Sequence, residues 1–404
     1  MLAALVAAAA GAAPAAAYDA ADLRTTLARE MRLAGPSSGA VVRDLDSGQD
    51  LFALRATSPR IPASIEKLYT TATALLRLGP QTTLETGAVS DVPVDAAGVL
   101  RGDLVLVGGG DPFFGSQAGA RLADAVKAAG VTRITGDVVG DETVFDRLRS
   151  VCCRGYDPDL GGVLSALAYD RGVDAGRVRL DAGRFAAVRF ARQLEAVDVR
   201  LDGVPRAGTA PPGAAAVALV PSLDVRSLIR FVNVPSNNFA SEMLLKGLGV
   251  RFRARGTTRD GAAVVRATLA ELGVRARVAD GSGLSRANRT SPRDVVALLA
   301  RMDALDVGPV FRGSLAIPGR TGTVRRRMRR TAAFGRCRVK TGTLRAVSGL
   351  AGYCRTAGGR DVAFAFMFNR ANTFVAKARE DRMTAAIARL AAARPVPSGG
   401  ALGP

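Results

Sequence analysis

The chain has no histidine and no tryptophan, and only five of its 56 basic residues are lysine. Without an imidazole, Ser-His-Asp triads, Cys-His pairs and the common histidine-containing zinc sites are excluded. Any general base must be Lys, Glu, Asp or Tyr. The formal charge of +20 favours polyanions such as nucleic acid, anionic lipid or acidic wall polymer. Aromatics make up only 5% of the chain, so no stacking platform for bases stands out and no nucleic-acid partner is expected. The four cysteines, two of them adjacent (Cys152, Cys153), do not suit a four-thiolate zinc site. Neither a metal nor a cofactor is predicted, and the thiols fit an oxidising compartment better.

No apolar run is long enough for a confident membrane span of about 20 residues. Residues 1–17 (MLAALVAAAAGAAPAAA) end in an A-x-A pattern and read as a signal peptide. Export, to a periplasmic or extracellular, wall-associated location, is the expectation. The run has no Lys or Arg before Arg24, so the basic segment that usually leads such a signal would lie upstream of residue 1.

What is present is 404 residues, 48% of them hydrophobic, enough for two domains. Residues 41–54 alternate around Ser47-Gly48 as a β-hairpin. A helix follows, with Pro62 before it, Leu68, Ala72, Leu75 and Leu76 at helical spacing, and Gly79 to stop it. Between 84 and 210 short strand candidates alternate with Gly and Asp, which predicts an inserted, partly β domain; the Gly/Pro/Ala-rich stretch 207–216 reads as the linker back. Helices are expected at 239–249, 260–272 and 292–304, the last capped by Ser291 with Pro292 and Asp294 in its first turn. Strands at 335–341, 347–354 and 361–368 form an antiparallel meander, and a helix at 374–392 covers it. The resulting division is 18–83 with 211–394 as one discontinuous catalytic domain, 84–210 as the insert, and 395–404 as a disordered tail. Cys337 and Cys354 are placed symmetrically about a hairpin centred near 345, which predicts a disulfide across two strands against the alternative of two buried thiols.

Three constellations carry chemistry. In Ser64-Ile65-Glu66-Lys67, a lysine one helical turn from a serine can take its proton if burial and neighbours lower the amine's pKa. In a chain this poor in lysine the choice is informative, because arginine cannot be deprotonated in its place. Ser236-Asn237-Asn238 precedes a helix; Ser236 can relay a proton and Asn238 can hold a substrate carbonyl or Lys67, while the alternative is helix capping. Lys340-Thr341-Gly342-Thr343 lies on a strand where the lysine and hydroxyls can bind a carboxylate and Gly342 can let a substrate backbone approach; the alternative is a turn with an exposed lysine. Gly109 and Asp111 read as turn formers, and Arg325, Arg326, Arg327, Arg329 and Arg330 as a solvated face, with an anionic wall polymer or membrane surface as the partner it would suit.

Together the three motifs resemble the S-x-x-K, S-x-N and K-T-G set of penicillin-binding proteins and serine β-lactamases. GGGDP (108–112), GDVVGDETVFD (136–146), SNNFASEMLLK (236–246), DGSGLSR (280–286) and TGTLRAVSGLAGY (341–353) narrow the resemblance to D-alanyl-D-alanine carboxypeptidase/endopeptidases of the penicillin-binding protein 4 type, peptidase family S13. That resemblance implies a mixed α/β fold of the penicillin-recognising serine transferase type: an antiparallel sheet flanked by helices, a helical subdomain, and a partly β insert between the first two motifs. It implies peptidoglycan stem peptides as substrate and β-lactams as covalent inhibitors. Ser64 would be the nucleophile, Lys67 the base, Ser236 and Asn238 their assistants, and the backbone N–H groups of Ser64 and Thr343 the oxyanion hole. Lys340, Thr341, Gly342 and Thr343 would bind the substrate carboxylate end. The insert is shorter than in the longest members, which implies that the third domain they carry is missing. The rivals are a serine β-lactamase, against which the long insert argues, and a non-catalytic wall-binding protein, against which the intact motifs argue.

Overall fold

The segment DVAFAFMFN is apolar at every position between its two ends, and a strand of that kind needs cover on both faces. The computed structural model describes residues 18–151 and 154–392, and in it the strand Asp361–Asn369 is the middle of a five-stranded antiparallel sheet. The expected signal peptide, Cys152, Cys153 and the expected tail lie outside the described residues. Strand order is Cys337–Leu344, Val347–Arg355, Asp361–Asn369, Ser38–Asp44, Asp50–Leu54, so the early hairpin and the late meander are two parts of one sheet. The register Ser38↔Phe368 to Asp44↔Val362 joins them.

Val362, Phe364, Phe366 and Phe368 face the helices Ala20–Leu33 and Thr373–Arg389, meeting Leu23, Leu27, Met31, Met383 and Ile387. Ala363, Ala365 and Met367 face the opposite core, shared with Leu68, Ala72 and Leu75 of the helix Lys67–Leu78 and with the helices Val225–Asn233, Asn238–Arg253, Thr258–Glu271 and Pro292–Asp303. The small residues on that face let the helical layer sit close; each buried phenylalanine on the other contributes about 2–3 kcal/mol. Ser291 caps Pro292–Asp303 as its sequence suggests, accepting from Asp294 N. The helices Ala20–Leu33 and Val225–Asn233 were not expected.

Cys337–Leu344 is an edge strand. Cys337 lies opposite Cys354 in register, and the two form a disulfide at the start of the strand. Val339 exchanges both backbone bonds outward with Ala316, at 3.0 and 2.7 Å. By the two-residue period of a strand, the backbone groups of Thr341 and Thr343 also point away from the sheet, toward its open edge.

The insert is built on a second sheet, in the order Pro205–Ala207, Val138–Asp141, Leu104–Val107, Glu85–Ser90, Ala215–Pro221. It is more helical than expected: Ser116–Ala128 and Ala182–Ala196 bury Leu122, Val126, Phe190 and Leu194 against it. Its sheet also ends later than expected. Ala215–Pro221 pairs with Glu85–Ser90 from Ala215↔Ser90 to Pro221↔Glu85, so the sheet closes at 221 and not at 210, and the supposed linker is a loop between two of its strands. Asp111 behaves as a turn former, its Oδ1 accepting from Phe113 N at 2.8 Å. The arginine run is solvated except at Arg327, which turns inward to Glu380 and Asp381 at 2.8 and 2.7 Å; Glu380 is fully buried and draws the guanidinium in.

Candidate active site

The nucleophile turn is crowded from two sides. A 3₁₀ turn Ala63–Glu66 runs straight into the helix Lys67–Leu78, which places Ser64 and Lys67 one turn apart. Ala63 holds a left-handed φ of 49° just before the serine, a costly conformation for a residue with a Cβ. Gly342 of the edge strand and Gly283 of the loop 280–285 press on this turn: a Cβ on Gly342 would come within 2.6 Å of the Pro62 carbonyl oxygen, and one on Gly283 within 2.0 Å of that of Ala63. The glycine of K-T-G is therefore required by the protein's own nucleophile turn.

Lys67 is fully buried. Its Nζ lies 2.9 Å from Ser64 Oγ, 2.6 Å from Asn238 Oδ1 and 2.5 Å from the Ser282 carbonyl. The orientation of the Asn238 amide is settled by its other end, where Nδ2 donates to the Asp159 carbonyl of the insert at 2.7 Å. Burial pushes the Lys67 amine down to about 7, against the opposing pull of Asp280, Glu242 and Glu66. Those three acids are themselves buried. Burial, then Asp280 and Glu242, raise Glu66 well above the carboxylate range, and neither of its oxygens has a hydrogen-bond partner among the described residues. Burial, then Asp280, brings Glu242 up to about 7. Burial raises Asp280 as well.

Ser236 and Asn238 enter the cleft from either side of the helix cap. Asn237 does the capping, accepting from Ala240 N, while Ser236 adopts φ 62° and accepts from Lys340 Nζ at 2.8 Å. Capping and site geometry are thus divided among three consecutive residues. Lys340 is fully buried and not the exposed lysine of a turn; its Nζ also donates to the Thr341 carbonyl at 2.8 Å. Burial and the neighbouring Lys67 hold its amine well below the ordinary lysine value. Thr341 Oγ1 donates to Thr323 Oγ1 at 2.8 Å, and Thr343 is exposed on the strand edge. The structure brings Ser64, Lys67 and Asn238 into one hydrogen-bonded cluster and Ser236, Lys340 and Thr341 into a second.

Four contributors had no signal in the motifs: the Ser282 and Asp159 carbonyls, Glu242 and Thr323. A backbone carbonyl carries no residue-type signature. The Asp-Gly-Ser-Gly run at 280–283 marks a turn, but not what that turn faces.

The arrangement has relatives. A D-alanyl-D-alanine carboxypeptidase of Actinomadura sp. (strain R39) is 29% identical over 453 aligned residues, covering 89% of this chain and 84% of its own. The crystal structure of penicillin binding protein 4 (dacB) from Haemophilus influenzae superposes with a TM-score of 0.77 at 21% identity, over 88% of this chain and 98% of its own. The same protein complexed with a novel β-lactam gives 0.72 at the same identity and coverage. Residues 20–159 and 166–390 match the D-Ala-D-Ala carboxypeptidase 3 family, and the chain belongs to that family, S13.

Proposed function

We propose that this chain is a serine DD-peptidase that cleaves the D-Ala-D-Ala end of peptidoglycan stem peptides through an acyl-enzyme on Ser64, and that β-lactams acylate the same hydroxyl. The reading is carried by one observation, the surroundings of Lys67 Nζ. Asn238 Oδ1 and the Ser282 carbonyl can only accept, so they take the two N–H bonds of a neutral amine and direct its lone pair at Ser64 Oγ, 2.9 Å away. An amine pushed down to about 7 is unprotonated often enough at neutral pH to act as the base.

Ser64 Oγ attacks the carbonyl carbon of the penultimate D-Ala while its proton passes to Lys67 Nζ. The tetrahedral oxygen is held by the backbone N–H groups of Ser64 and Thr343, a preorganised donor pair whose members are typically worth about 3 kcal/mol each. The open-edge direction of the Thr343 backbone supports that role. Collapse breaks the peptide C–N bond and the leaving amine takes the proton held by Lys67, by way of Ser236; water then attacks the acyl carbon as neutral Lys67 takes its proton, and that proton returns to Ser64 Oγ as the shortened peptide leaves. Lys340, Thr341 and Thr343 receive the terminal carboxylate. A cross-link presents the same D-Ala carbonyl, so endopeptidase action follows from the same chemistry. A wall substrate places the enzyme outside the cytoplasm, in keeping with the Cys337–Cys354 disulfide.

The test is intact-mass analysis after exposure to penicillin. The wild-type chain gains one adduct mass and Ser64→Ala gains none; an adduct of equal size on Ser64→Ala would refute the nucleophile assignment.

A further inference from the structure

Of the three groups around Lys67 Nζ, the Ser282 carbonyl is the one whose aim depends on a folded loop. That loop is held at the two peptides just before the one that carries this carbonyl. Glu242 Oε1 accepts from Gly281 N at 3.0 Å and from Ser282 N at 2.7 Å. The Gly281 carbonyl accepts from Ser241 Oγ at 2.6 Å and Thr70 Oγ1 at 2.9 Å. Asp280 takes the N–H of the Ser282–Gly283 peptide itself, Gly283 N at 2.8 Å, and braces the far side through Ser285 N at 2.6 Å and Asn288 Nδ2 at 2.7 Å. Glu242 is fully buried and stands four residues after Asn238 on the helix Asn238–Arg253, so both project from one helical face.

We propose that Glu242 is a positioning residue for the base: by seizing two consecutive amides it turns the Ser282 carbonyl onto Lys67 Nζ and completes the acceptor pair that aims the amine at Ser64. One face of one helix thereby supplies both acceptors, Asn238 directly and Ser282 through Glu242. The proposal rests on the DD-peptidase reading, since it assumes that Lys67 is the base. The charged groups facing Lys67 are Glu66 on its own turn, Glu242 from the helix, Asp280 from the loop and Lys340 from the edge strand.

The experiment measures the rate of Ser64 acylation by a chromogenic β-lactam against pH, in the full chain. Glu242→Gln keeps an acceptor for the two amides but removes a negative charge that favours the protonated amine. Its plateau rate should stay within about threefold of wild type while its acidic limb moves to lower pH. Glu242→Ala frees the Gly281–Ser282 peptide and should lower the plateau at least tenfold, with the non-covalent affinity for the β-lactam within about threefold. A folded Glu242→Ala protein, judged by circular dichroism, that acylates at the wild-type plateau overturns the proposal. If the alanine variant does not fold, Glu242→Gln decides: an unmoved acidic limb or a tenfold loss of plateau overturns it. Absence of labelling in the wild-type chain would instead sink the DD-peptidase reading.

Discussion

Of the three completely buried lysines, Lys67 and Lys246 stand on neighbouring helices and live in opposite surroundings. Lys246, in the middle of the helix Asn238–Arg253, sets its Nζ 2.5 Å from the Asp146 carboxylate and 5.7 Å from the centre of the Phe145 ring. It ties the insert to the catalytic helix beside a small shared core of Phe145, Leu160, Leu164, Phe239 and Met243. Among the described residues Lys67 touches no carboxylate: its three partners are a hydroxyl, an amide oxygen and a backbone carbonyl, and Glu66, Glu242 and Asp280 act on it only from beyond that layer. A carboxylate in contact makes a lysine a fastener. Neutral acceptors in contact, with acids one layer further out, leave the proton free to come and go.

The comparison is sharpest if each site is given arginine. Lys67→Arg should lower β-lactam acylation by a factor of about 10³ or more, because a guanidinium cannot give up its proton. Lys246→Arg should stay within about threefold of wild type, since a guanidinium can still pair with Asp146 and stack on Phe145. Labelling with a fluorescent penicillin measures both, and comparable losses in the two variants would erase the distinction. Next in size is the pH response of the wild-type enzyme. Below about pH 7 the Lys67 amine carries a proton and cannot accept another, so the acylation rate should fall about tenfold per unit on the acid side and level off above it. A flat profile from pH 5 to 8, measured by stopped flow, would show that the amine is not the group that titrates. The smallest effect on chemistry is expected from Lys246→Met. It should cost about 1–3 kcal/mol of stability, less than for a fully enclosed pair because Asp146 keeps 26% of its side chain exposed, and change acylation less than threefold. A thermal melt alongside the labelling assay separates the two readouts.

Where local chemistry dictates local structure, the sequence was readable. The alternation of 41–54 and of the three late strands, the Ser291-Pro292 start and the Gly79 stop all correspond to elements in the fold. The symmetric placement of Cys337 and Cys354 about the hairpin was enough to pair them, because antiparallel register follows from counting. The spacing of Ser64 and Lys67 brought both to one turn of helix. Harder to read was anything built from alanine. Ser116–Ala128 and Ala182–Ala196 bury alanines among few large side chains, so their amphipathic stripe is faint and the insert looked less helical than it is. The late closure of the insert sheet at Pro221 was hidden because Ala215–Pro221 pairs with a strand some 130 residues earlier, and no local pattern reports such a partner. The hold on Lys67 by Ser282 is of the same kind, a carbonyl 215 residues away in sequence.

The 2.7 Å bond from Asn238 Nδ2 to the Asp159 carbonyl gives the inserted domain a say in catalysis without lending it a single side chain there. An asparagine amide is nearly symmetric in shape and opposite in polarity at its two ends. Were the Asp159 strut withdrawn, a half-turn of that amide would present N–H groups to an amine that needs an acceptor, and the lone pair would lose its heading toward the serine. The insert thus works as a polarity key, and the engine it keys sits in the other domain.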